Sequence, residues 1–143
     1  MDLTKRFPRG PRERMAGIAM LPRTIDKARA AAAGTLGDYI YDCPMDRQLF
    51  AALGVDGAAF LDAASHAADD DALLAWLRAR AALPAGDALR EHNAAIDAWA
   101  PKSKKGREHF LEARQRVAPG RTDIETWTEL LDVEEGRIPL AAR

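Results

Sequence analysis

Glycine and proline break this chain at Gly34, Gly54, Pro84 and Gly86, Pro101, Pro119–Gly120 and Gly136, and between the breaks apolar residues recur at helical spacing. That punctuation limits every element to a short helix. It predicts an all-α (mostly α) compact domain of about seven short helices joined by short turns. The first is expected from about Pro22 to Ala33, with Leu21, Ile25, Ala28 and Ala32 on one face, Pro22 in the first turn and Gly34 as the stop. A short second helix follows Pro44 and turns Leu49, Phe50 and Leu53 inward. Asp56 reads as the N-cap of a third, stapled by Val55 and Phe60 and ending near Ala67. Asp69, Asp70 and Asp71 suit the positive end of a fourth, which carries Leu73, Leu74 and Leu77. The fifth starts at Asp87 and stops at Pro101, with Leu89, Ile96 and Trp99 on one face. Ser103 caps a sixth running to about Ala118, with Phe110, Ala113 and Val117 inward. Thr122 with Glu125 fits a capping box for the seventh, whose face holds Ile124, Trp127 and Leu131.

Two segments do not fit the helical pattern. Residues 1–20 are rich in Pro, Gly and Arg and read as an extended N-terminal arm that either wraps the body or orders on a partner; residues 21–143 read as a single helical domain. The irregular 34–44 segment, with Gly34, Gly37 and the run Tyr39-Ile40-Tyr41, reads as a loop with a short extended piece in which both phenols point away from Ile40.

With 48% hydrophobic and 30% charged residues the chain is globular rather than disordered. Its one cysteine, Cys43, allows no intramolecular disulfide. The first residues lack the apolar run of a signal peptide and no stretch reaches the length of a membrane span, so the expected location is cytoplasmic and no membrane partner is expected. A net charge of −1 argues against a general nucleic-acid binder. The charge is nevertheless blocked: residues 1–29 and 102–121 are basic, residues 30–100 and 122–143 acidic, which points first to complementary faces within the fold.

The densest polar constellation runs from Arg23 to Asp46. On the first helix Arg23, Asp26 and Lys27 share a face, and Asp26 lies three residues from both Arg23 and Arg29. A carboxylate between two guanidiniums stays ionised and can hold them as a fork for a carboxylate or phosphate. The bland counterpart is a solvated salt-bridge face. Cys43, before Pro44, occupies the N-cap of the second helix, where a thiol can gain nucleophilicity, although Asp42 and Asp46 oppose a thiolate there. Tyr39 and Tyr41 either contact a ligand or finish the core edge. The three histidines form no metal motif: His66 follows Asp62 by four and His109 precedes Glu112 by three, with no matching second pair. His92 falls on an apolar stripe and reads as a hydrogen-bonded core or interface residue. The Lys102–Arg107 cluster reads as a solvated turn at a helix start. No phosphate loop or nucleophile elbow is present, and no metal or cofactor is expected.

Several of these stretches resemble a bacterial domain-of-unknown-function family, catalogue number 5069. They are Asp2-Leu3-Thr4 with Phe7-Pro8-Arg9 and Pro11-Arg12-Glu13, the run Leu21-Pro22-Arg23-Thr24-Ile25-Asp26-Lys27-Ala28-Arg29-Ala30, Gly34-Thr35-Leu36-Gly37-Asp38-Tyr39, Cys43-Pro44-Met45-Asp46, Leu53-Gly54-Val55-Asp56 with Phe60, and Leu131-Asp132-Val133-Glu134-Glu135-Gly136-Arg137. The resemblance spans nearly the whole chain and implies no activity. A family that reuses a fixed order of Arg, Asp, Lys and Arg points to a partly buried polar site between the first helix and residues 34–46.

The leading expectation is a binding site for a small anionic metabolite, with catalysis as an extension. Arg23 and Lys27 hold the anion, Asp26 orients Arg23, and Arg29, Tyr39 and Tyr41 complete the lining. Tyr39, Asp46 and Cys43 are the candidate catalytic groups. The alternative is a non-enzymatic interaction module or homodimer, in which the same residues form a buried structural ion-pair network. An RNA-binding role for the basic arm and the 102–121 block is the weakest reading, since aromatics are scarce among those cations.

Overall fold

The computed structural model describes residues 1–80 and 83–139. Residues 81–82 and 140–143, which the sequence places within the 21–143 helical domain, lie outside the described residues. The elements are β1 (Arg14–Met15), β2 (Ile18–Ala19), α1 (Leu21–Ala33), α2 (Pro44–Leu53), α3 (Gly57–His66), α4 (Asp70–Arg80), α5 (Gly86–Asp97), α6 (Lys104–Val117) and α7 (Trp127–Glu134). Four of the helix ends carry the caps that the sequence suggests. Asp56 and Ser103 accept from the amides of Ala59 and Gly106, and α1 and α2 end at Gly34 and Gly54, both left-handed.

The last helix is displaced from its expected start. Thr126 and Glu129, not Thr122 and Glu125, form the capping box. The T-x-x-E spacing occurs twice in succession, and tertiary contacts choose between the copies. The Ile124 carbonyl accepts from Arg114 Nη1 at 2.9 Å, and the Trp127 amide donates to the Trp99 carbonyl at 2.7 Å, so residues 122–126 are held as a loop. Thr126→Ala is therefore expected to lower stability by about 1 kcal/mol while Thr122→Ala leaves it unchanged, as read from urea melts. Equal effects would contradict the observed cap. The inward face also shifts: Leu130 and Val133 are buried and Leu131 is half-buried.

Residues 1–20 are ordered against the helices. A two-residue turn at Ala16–Gly17, both at positive φ, closes the antiparallel β1–β2 pair, with Met15 opposite Ile18. α5 holds this hairpin: the Asn93 carboxamide accepts from the Ala19 amide and donates to the Gly17 carbonyl, and His92 Nε2 donates to the Ala19 carbonyl at 2.9 Å. His92 is thus the hydrogen-bonded core residue its stripe suggests.

The main core gathers Ile18, Leu21, Ile25, Leu49, Leu53, Phe60, Leu73, Leu77 and Ile96 around α1. A smaller core of Phe110, Ala118, Ile124, Leu130 and Val133 joins α6 to α7. α1 is the centre of the molecule. Leu21 through Ala28 are all buried, polar residues included, whereas Ala32, expected on the apolar face, is exposed. Among the described residues no helix is long and apolar enough to cross a membrane.

Candidate functional site

Because Leu21 through Ala28 of α1 are covered on all sides, the charged residues among them cannot rely on water and must each find a partner. The expected pairs within the helix do not form; every partner comes from a distant segment. Arg23, 3% exposed, makes a two-pronged pair with Glu135 just beyond α7, Nη1 to Oε1 at 2.8 Å and Nη2 to Oε2 at 2.9 Å. Asp26 is gripped by Arg9, which donates its backbone amide at 2.9 Å and its guanidinium at 2.9 and 3.1 Å. Arg29 pairs with Asp70 at 2.7 Å, and Asp70 also accepts from Arg9 at 2.8 Å. Asp26 therefore does not orient Arg23. A guanidinium reaching across the fold to a bidentate carboxylate gains both alignment and desolvation, which a staggered pair along one helix lacks.

Lys27 completes the set. Its ammonium lies 2.7 Å from Asp46 Oδ2 and 3.3 Å from Cys43 Sγ. Asp46 is fully buried and also accepts from Thr24 Oγ1 at 2.8 Å and the Cys43 amide at 3.1 Å, so it closes the start of α2 as it anchors Lys27. With both oxygens engaged it acts as a positioning group and is not open to a substrate.

Glu135 is the node that local sequence does not reveal. It accepts from Arg23, from Arg137 Nη2 at 2.7 Å and from Tyr39 Oη at 2.9 Å. Burial works to raise its pKa, but the Arg23 guanidinium, helped by Arg137 and Tyr39, outweighs burial and holds the carboxyl below its usual range. Burial, reinforced by the Glu135 charge, pushes the Tyr39 phenol above its ordinary value, so Tyr39 serves as a hydrogen-bond donor at neutral pH rather than a base. Gly10 lets the N-terminal segment lie on Arg137; a Cβ there would stand 2.8 Å from Arg137 Nε.

A cleft of about 780 Å³ opens over this network, between residues 3–7, α1, residues 38–45 and the end of α7. Buried Arg23, Lys27 and Glu135 form its floor beside half-buried Tyr39 and Cys43. Of the predicted site residues, Arg23, Lys27, Tyr39 and Cys43 thus come together. Asp26 and Arg29 do not line the cleft and are tied to Arg9 and Asp70. Tyr41 is also absent from the lining: its hydroxyl donates to the Gly57 carbonyl at 2.6 Å and its ring packs on Phe50. Among the described residues no group of three or more His, Cys, Asp or Glu side chains could hold a metal ion.

The stretches that form this network, from Arg9 through α1 and Tyr39 to Glu135, are also those that carry the family resemblance. The family described as Domain of unknown function (DUF5069) matches residues 5–137. The chain belongs to that family. The match takes in every member of the floor and its supports, from Arg9 to Arg137, but attaches no reaction to them. No curated protein matches the chain.

Proposed function

We propose that the cleft over α1 binds a small anionic molecule. One observation carries this reading: two cationic residues from successive turns of one helix, Arg23 and Lys27, line the floor of a single cleft together with Tyr39 and Cys43. The volume falls within the roughly 300–1,000 Å³ of small-molecule sites. Arg23 and Lys27 attract the anion, Tyr39 donates to Glu135 and so blunts the negative charge beside it, and Glu135 and Asp46 keep the two cations in place. Asp26, Arg29 and Tyr41 have no part in binding.

Cys43 supplies a convenient reporter, because it is the single cysteine and lines the cleft. Small carboxylates and phosphate esters are screened for a raised melting midpoint and for slower alkylation of Cys43 by iodoacetamide, followed as a mass increment. A true ligand is expected to do both, and Tyr39→Phe, which leaves the Arg23–Glu135 pair intact, is expected to weaken its effect. If no anion slows alkylation, the reading fails.

The internal pairing of Arg23 with Glu135 and of Lys27 with Asp46 favours a second reading, the interaction module. In that case the ion pairs serve only the fold, no anion shifts the midpoint, and the midpoint rises with protein concentration as the chain self-associates.

A further inference from the structure

Four large apolar side chains stand exposed among the described residues, and two of them, Phe7 at 57% and Ile40 at 69%, line this one cleft. Both belong to its mouth, with Leu3, Met20, Met45 and Leu131 on the walls below, buried Arg23, Lys27 and Glu135 on the floor, and Lys5, Arg6, Asp38 and Glu134 exposed around it. The walls that carry Phe7 and Ile40 are tied together at the Leu3 end. The Leu3 amide donates to the Thr35 carbonyl at 2.9 Å, and Gly37, at positive φ, comes so close to Leu3 that a Cβ would lie 3.2 Å from its carbonyl oxygen. Exposed Phe and Ile side chains on two walls of one polar-floored cleft match a ligand with an apolar body and a polar head.

The charges limit the head. Lys5, Arg6, Arg23 and Lys27 line the cleft against Asp38, Glu134 and Glu135, with Asp46 directly behind Lys27. This balance stays within one charge of neutrality, so the site offers little net attraction to offset the cost of stripping water from a doubly charged phosphate, a cost that is much smaller for a monoanion. Two N–H bonds of Lys27 are directed at Asp46 and Cys43, which leaves one for a ligand. A carboxylate can accept that N–H; a phosphoryl group would leave most of its oxygens unsatisfied.

We infer that the cleft takes a medium-length straight-chain monocarboxylic acid, its carboxylate at Lys27 and its alkyl chain between Phe7 and Ile40. This rests on the anion-binding reading above and goes further by naming the ligand class.

The test measures protection of Cys43 from iodoacetamide in the wild-type protein by butanoate, hexanoate and octanoate, with octan-1-ol and inorganic phosphate as comparisons. Affinity is expected to rise about fourfold per added methylene. Octan-1-ol and phosphate are expected to protect far less than octanoate. Ile40→Ser and Phe7→Ser, changes at side chains already exposed, are expected to flatten the chain-length dependence with the ligand-free melting midpoint unchanged. Equal protection by butanoate and octanoate, or stronger protection by phosphate, would overturn the fatty-acid assignment and leave the anion reading standing. A chain-length dependence that persists in both serine variants would also overturn it, since the chain would then lie elsewhere. Equal protection by octan-1-ol and octanoate, or no protection by any probe, would overturn both.

Discussion

Arg23→Ala is expected to destabilise the protein by about 3–5 kcal/mol, the cost of breaking a buried ion pair from one side. The Arg23 and Glu135 side chains are 3% and 1% exposed, so removing the guanidinium takes the two-pronged partner from a buried carboxylate. Arg137 and Tyr39 remain as partners and keep the loss from growing further. Urea denaturation at pH 7 measures it. A loss below about 1 kcal/mol would mean that the pair behaves like a solvated surface bridge. The same variant carries a pH signature. The Glu135 carboxyl in the folded wild type titrates below its usual value of 4.5. Its contribution to stability is therefore complete above that value and is lost as pH falls through the lower, folded one. In Arg23→Ala the strongest influence holding the Glu135 carboxyl down is gone, so the variant loses less on acidification than the wild type. The stability gap between wild type and variant is accordingly expected to narrow from neutral pH to below about pH 4. A gap that widens on acidification would show that Glu135 is not the group left unpaired.

The second large effect is expected at Asp46. Asp46→Ala removes the acceptor for the Lys27 ammonium, the Thr24 hydroxyl and the Cys43 amide at once. Lys27, 3% exposed, is left with the Cys43 sulfur alone. The expected loss is again about 3–5 kcal/mol, or a melting midpoint lower by roughly 10 °C or more for a chain of this size. The change also opens the capping box of α2, so Cys43 is expected to react faster with iodoacetamide than in the wild type. Asp46→Asn keeps one acceptor oxygen, for either Thr24 or the Cys43 amide, and lacks the charge for Lys27, and falls between the two. Wild-type stability in Asp46→Ala would remove Asp46 from its role as the anchor of Lys27.

These two experiments bear on the functional readings in a way the residue types alone do not. Since Arg23 supports the fold, loss of a ligand response in Arg23→Ala says little about binding. Tyr39→Phe, Ile40→Ser and Phe7→Ser are the informative variants, because they alter the cleft without removing a charge from the interior.

Where local physics suffices, the chain states its own structure. Pro22 and Gly34 bracket α1, Pro44 and Gly54 bracket α2, Asp56 and Ser103 cap α3 and α6, and the apolar spacing within each helix points Leu49, Leu53, Leu73, Leu77, Ile96 and Phe110 inward. The same is true of the pairing of Cys43 with the N-terminus of α2. Each of these depends on residues a few positions apart. The failures share an opposite cause. Thr122–Glu125 and Thr126–Glu129 are equivalent as local signals, and only the distant carbonyl of Trp99 and the side chain of Arg114 select the second. The Ala16–Gly17 turn has a weak signal, because alanine at positive φ is disfavoured and is tolerated here in a hairpin held by Asn93 and His92.

The sequence by itself determined the helical class, most helix boundaries and where the densest polar segment, Arg23 to Asp46, lies along the chain. Only the tertiary structure decided what those residues do. It buried Leu21 through Ala28 of α1 on every side, which turned Arg23, Asp26 and Lys27 from a helix face into interior charges that must be paired. It then drew their partners from Arg9, Asp46 and Glu135, the last of them 112 positions from Arg23. An ion pair is specified by distance in space and by the exclusion of water, and neither quantity is written in the spacing of residues along a chain.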